Sequence, residues 1–193
     1  KRAQDARVVT GFRLAKEGKL AEARRFADAA LQATPATGQA LFLDARLVWL
    51  MDSTGAGIAR AQDHLDRVDP HDSTSKGRLL NLVGCGLDEL GRYDDAVGWF
   101  ERAVQVHTDV MYLANLAEVH DKRGAADDAI RFARQAKRAG AKSPVVEKIL
   151  AEAQKGMEGG GRDGDAPIAK DDDDDDDDDL DADELIDELF RED

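Results

Sequence analysis

With 193 residues, 35% of them charged and 5% aromatic, the chain carries a formal net charge of −14. Its single Cys85 excludes an internal disulfide framework, and no apolar run approaches the roughly 20 residues that cross a bilayer as a helix. The charge is held unevenly: residues 157–193 carry 19 acidic and 3 basic side chains, leaving 22 acidic and 24 basic in residues 1–156, so a near-neutral body is joined to a polyanionic tail.

The chain begins at Lys1 and reads as a processed or excised product, which leaves open a signal peptide or a preceding domain ahead of it. A lone cysteine and no signal peptide in the given residues favour a reducing, cytoplasmic setting.

Taken in order, apolar spacing predicts helices at about 4–16 and 19–32, broken at Gly18. Residues 38–51 follow, dense in Leu, Phe, Val and Trp, then a Ser-Thr-Gly-Ala-Gly turn at 53–57 and a helix at about 56–68. The polar stretch 71–77 reads as a loop by composition. Helices at 77–89 and 92–106 flank Gly91, and helices at 110–122 and 125–139 flank Gly124. Ser143 and Pro144, a cap residue and a first-turn proline, open a ninth helix over about 144–155. Its Val145, Ile149 and Leu150 are expected to cover the last apolar face, as a terminal helix of a stacked array must.

One spacing recurs three times. Gly18 is followed by Leu20, Ala23, Ala27 and Ala30; Gly91 by Tyr93, Ala96, Phe100 and Ala103; Gly124 by Ala126, Ala129, Ala133 and Ala136. Gly91 and Gly124 stand 33 residues apart, and the 73 residues from Gly18 to Gly91 hold two periods with a few residues to spare. A fixed period of this length means stacked units rather than one globular core. The units run at about 4–35, 38–70, 77–108 and 110–141 within a repeat domain of residues 1–156.

These positions resemble the tetratricopeptide repeat family. The third unit carries the likeness through Leu80, Val83, Gly84, Leu87, Gly91, Tyr93, Ala96, Phe100 and Ala103. The fourth carries it through Leu113, Leu116, Ala117, Gly124, Ala129 and Ala136. The first unit departs from it at Arg7 and Thr10, where apolar residues are usual. The resemblance implies an all-α helix-turn-helix solenoid, a superhelix whose first helices line a concave groove. In that register Val8, Val9, Phe12, Phe42, Leu43, Arg46 and Trp49 face the groove in the first two units. Arg78, Asn81, Leu82, Cys85, Met111, Asn115 and Glu118 face it in the next two. Such a face suits a peptide or short helix with apolar anchors and some negative charge. A second reading stays open for Phe42, Leu43 and Trp49, which would instead pack between neighbouring helices. Some members of the family grip a chaperone's C-terminal carboxylate with Lys and Asn. Here those slots hold Val8 and Phe12, or Asn81 and Cys85, and Asn115 alone fits, which disfavours that role.

Beyond the body, the glycine-rich residues 157–170 read as a flexible linker. In the disordered acidic tail at 171–193, nine aspartates, Asp171–Asp179, can build no core. Leu185, Ile186, Leu189 and Phe190 then form one stripe of a short amphipathic helix at about 181–191, a docking motif that folds on a partner or on the chain's own groove.

Catalytic and metal signals are not found. His64, His71, His107 and His120 stand at no trusted ligand spacing, and His120 reads as a satisfied, partly buried side chain. Gly84 and Gly86 lie inside a predicted helix, not in a phosphate loop. No cofactor and no enzymatic activity are expected, and no specific nucleic-acid partner, since the tail would repel one. The functional expectation is a protein or peptide-binding scaffold or adaptor. The alternative is a polyanionic tail that masks basic proteins or competes with nucleic acid, localised by the repeats.

Overall fold

The computed structural model describes residues 5–33 and 35–158, with side chains to residue 155. Among them are nine helices and no strand: α1 (Ala6–Lys16), α2 (Leu20–Leu31), α3 (Gly38–Met51), α4 (Thr54–Leu65), α5 (Ser73–Glu89), α6 (Tyr93–Val106), α7 (Val110–Lys122), α8 (Ala126–Arg138) and α9 (Pro144–Glu158). The described residues form an all-helical array consistent with a repeat solenoid.

Two kinds of junction recur along it. Gly18, Gly91 and Gly124 take φ of +74°, +72° and +76°, a left-handed conformation that costs glycine little. Each closes its helix with the same six-to-one hydrogen bond: Lys19 N to Leu14 O at 2.9 Å, Arg92 N to Leu87 O at 2.8 Å, and Ala125 N to His120 O at 2.9 Å. The helices that follow, α2, α6 and α8, have no side-chain cap. They carry acids in the first turn instead: Glu22, then Asp94 with Asp95, then Asp127 with Asp128. Negative charge there complements the positive helix end. By contrast α1, α3, α5 and α7 open on capping side chains, those of Asp5, Thr37, Asp72 and Asp109.

Capping also explains two departures from the predicted boundaries. Ser53 accepts from Ala56 N at 3.1 Å, so α4 begins at Thr54 and the supposed turn at 53–57 is largely helix. Asp72 accepts from Ser75 N at 3.0 Å, so α5 begins at Ser73, inside the supposed polar loop. Ser, Thr and Asp populate both loops and helix starts, and composition alone does not separate the two. Gly57 has a packing role there: a Cβ on it would lie 2.5 Å from Trp49 Cβ, so its absence lets α4 press against α3.

Every helix packs on the next one in the chain. In addition α1 touches α3, α3 touches α5, α5 touches α7 and α7 touches α9, whereas no even-numbered helix touches the next even-numbered one. The odd helices therefore form one continuous inner layer, and the even helices splay outside it. Burial follows the same division. α5 buries eleven residues and α3 eight, but α2, α4 and α8 bury three each, largely alanines. At the far end Val146 and Ile149 of α9 are buried against α7 and α8, with Val145 and Leu150 only partly covered. The principal anchor thus lies one residue beyond the expected Val145.

Candidate functional site

The inner layer is the surface that the register assigned to a groove, and the structure divides its residues into two groups. Val8, Phe12, Phe42, Leu43, Asn81 and Leu82 are fully buried, and Arg78 is 6% exposed. These seven are corrected from groove lining to core. The cause is the close stacking of α1, α3 and α5: Phe12 and Phe42 rings lie 6.0 Å apart, and a Cβ on Gly11 would fall 2.5 Å from Leu43 Cδ2. For Phe42 and Leu43 the packing reading holds. Arg46, Trp49, Cys85, Met111, Asn115 and Glu118 remain partly accessible, as does Val9.

The accessible group runs along the odd helices. On α3 the Arg46 guanidinium lies 5.1 Å from the Trp49 ring centroid, an arrangement that fixes the indole plane. Between α5 and α7, Asn115 Nδ2 donates to Asn81 Oδ1 at 2.9 Å and lies 3.5 Å from Cys85 Sγ. Buried Asn81 thus orients half-exposed Asn115 from below. One end of the layer carries a small ion network. Lys122 Nζ is 2.7 Å from Asp88 and 2.8 Å from Glu118. Partial burial of the ammonium works against its charge, but hydrogen bonds to Asp88 and Glu118 prevail and hold its pKa above the usual value. Asn81–Asn115 and Asp88–Lys122 are both separated by 34 residues, so the repeat period is written into the contacts.

A second polar constellation escaped the sequence reading. Asp44, fully buried on α3, accepts from Arg24 of α2 at 2.5 Å, Arg60 of α4 at 2.7 Å and His64 Nε2 at 2.6 Å. Arg67 Nη1 lies 3.0 Å from His64 Nδ1. A guanidinium can only donate, so Nδ1 is the acceptor and Nε2 bears the proton toward Asp44. Burial of Asp44 would raise its pKa, yet the bonds from His64, Arg60 and Arg24 hold it well below the usual carboxylate range. The signal was a lone aspartate in the apolar run around Leu41, Phe42, Leu43 and Ala45, which demands partners once buried. The cluster ties α2, α3 and α4 together.

His120 also departs from expectation. It is 4% exposed and stacks on Phe132 at 5.3 Å, but neither ring nitrogen has a hydrogen-bond partner among the described residues. Burial depresses its pKa, with Asp128, 3.9 Å from Nδ1, opposing weakly. Among the described residues no cluster of His, Cys, Asp or Glu could hold a metal, and no helix is long and apolar enough to cross a membrane. Leu185, Ile186, Leu189 and Phe190 lie outside the described residues.

The tetratricopeptide repeat family model matches residues 78–111, which span most of α5, all of α6 and the start of α7. No curated protein is found to match the chain. The matched segment, the nine described helices and the 34-residue register together support a tetratricopeptide-like repeat protein, in a family of generally non-catalytic protein–protein interaction modules.

Proposed function

We propose that the chain is a non-catalytic scaffold or adaptor that binds a peptide or short helix along its inner layer. The observation that carries this reading is that Trp49 on α3 and Met111 and Asn115 on α7 stay partly accessible, while α5 contacts both of those helices. An indole steadied by Arg46 offers an apolar anchor site, and Asn115 offers amide groups to a peptide backbone. The C-terminal Leu185, Ile186, Leu189 and Phe190 motif serves as a second contact, to a partner or to the same layer. A cytoplasmic setting accords with the single cysteine.

The alternative, a polyanionic tail that masks basic proteins, rests on Asp171–Asp179. A peptide-display selection on the full chain separates the two. Selected peptides should carry an apolar anchor, lose at least tenfold in affinity against Trp49→Ala combined with Asn115→Ala, and weaken little between low and moderate salt. Enrichment of lysine- and arginine-rich peptides, bound equally by that variant and released by moderate salt, would instead establish the tail reading.

A further inference from the structure

The outer face of α8 is unlike the other even helices. Arg131, Arg134 and Arg138 line a shallow cleft of about 350 Å³ with Ile130, Gln135 and Asp127. Arg131 is already engaged, 2.6 Å from Asp128 Oδ1, with its guanidinium over the Phe132 ring. Arg134 and Arg138 are exposed, and among the described residues no carboxylate lies within ion-pair distance of either. Elsewhere Arg13, Arg24 and Lys122 each meet a carboxylate on their own helix or at its end.

We infer that this face of α8 is a docking surface for an anionic extended segment, and that its occupant is the chain's own Asp171–Asp179. Charge complementarity is the first support. Residues 157–193 hold 19 acidic against 3 basic side chains, and the body holds a slight basic excess. Reach is the second. α9 packs directly on α8 and ends at Glu158, and the residues from 159 to 170 precede the aspartates. Fully extended, a segment of that length covers at most about 40 Å, whereas α8 is about 20 Å long. Spacing is the third. Arg134 and Arg138 lie one turn apart, about 6 Å along the axis. Alternate side chains of an extended strand repeat at about 6.6 Å on one face, so two alternate aspartates match the spacing of the two guanidinia.

Polarity sets where the segment lies. Asp127 and Asp128 repel it from the first turn of α8. The negative end of the helix dipole opposes it at the last turn, and Arg134 and Arg138 must outweigh that end. The contact is consequently electrostatic, salt-sensitive and weak between separate molecules. Tethering at an effective concentration on the order of millimolar is what makes it form. Docked there, the aspartate run itself leaves the inner layer open.

The test compares amide NMR spectra of the full chain with those of a full-length variant in which Asp171–Asp179 are all asparagine. Cross-peaks of residues 130–138 should move, those of Asn81 and Asn115 should not, and about 1 M salt, where the screening length is near 3 Å, should reproduce the variant spectrum in the parent. Arg134→Glu with Arg138→Glu, both exposed and so tolerable to the fold, should abolish the difference between the two chains. Unmoved residues 130–138, or larger changes on α5 and α7, would overturn the inference. Loss of the effect on tenfold dilution would overturn it too, since the occupant would then be a second copy.

Discussion

Replacing Asp44 by alanine removes the acceptor shared by Arg24, Arg60 and His64. The three partners do not lose equally. The side chains of Arg24 and Arg60 are 25% and 42% exposed, so both can turn to water, and Arg24 keeps its bond to Asp28. His64 is 2% exposed and cannot, so its Nε2–H is stranded. A buried donor left unpaired costs about 1–3 kcal/mol, and the loss of a buried pair as a whole about 3–5 kcal/mol. Solvent access for the arginines places the expected loss between them, at about 2–4 kcal/mol. Asp44→Asn keeps a carbonyl for His64 and gives up only the charge, so it should cost about 1–2 kcal/mol. Urea unfolding followed by far-ultraviolet circular dichroism measures both. A pH series adds a signed test. Because the folded pKa of Asp44 is depressed, its contribution is fully present above the unfolded carboxylate value near pH 4. It is lost as pH falls through the folded value, at about 1.4 kcal/mol per pH unit. Either variant should remove that component of the acid limb. An alanine variant within about 0.5 kcal/mol of the parent, or an unchanged acid slope, would refute the reasoning.

Three further predictions use the same assay. Gly98, exposed within α6 with nothing within 4 Å of a would-be Cβ, should gain about 0.5–1 kcal/mol as Gly98→Ala from helix propensity. Gly84→Ala should instead lose about 1–3 kcal/mol, because its Cβ would fall 2.6 Å from the Phe100 ring. His120→Phe keeps the ring stacked on Phe132 and removes two buried nitrogens without partners, so it should stabilise by about 1 kcal/mol at neutral pH. Since the folded pKa of His120 is depressed, the parent loses stability as pH falls below about 6.5, and this variant should lose that decline.

Much of the helical order was legible because helix breaks in this chain are marked by residues with few alternatives. Gly18, Gly91 and Gly124 hold backbone conformations that other residues adopt at a cost, and the alanines after them recur at fixed offsets. Helix starts were harder to read at Ser53 and Asp72, where capping residues look like loop residues. The accessible part of the proposed binding face was legible only in part. Register states which way a side chain leaves its helix but not how closely the next helix approaches. At α1, α3 and α5 that approach is close enough to bury Val8, Phe12, Phe42, Leu43, Asn81 and Leu82. The Asp44 cluster was not legible as a cluster. Arg24, Asp44 and His64 are each 20 residues from the next, with Arg60 one turn before His64, and no periodic pattern joins them.

The central claim is that the odd helices present the partner-binding face. A selected apolar-anchored peptide should be titrated into the isotope-labelled full chain. The Trp49 indole, the Met111 methyl and the Asn115 side-chain amide should shift together and saturate at one stoichiometric equivalent, with α2, α4, α6 and α8 unmoved. Shifts concentrated on the even helices, or confined to residues 159–193, would contradict it.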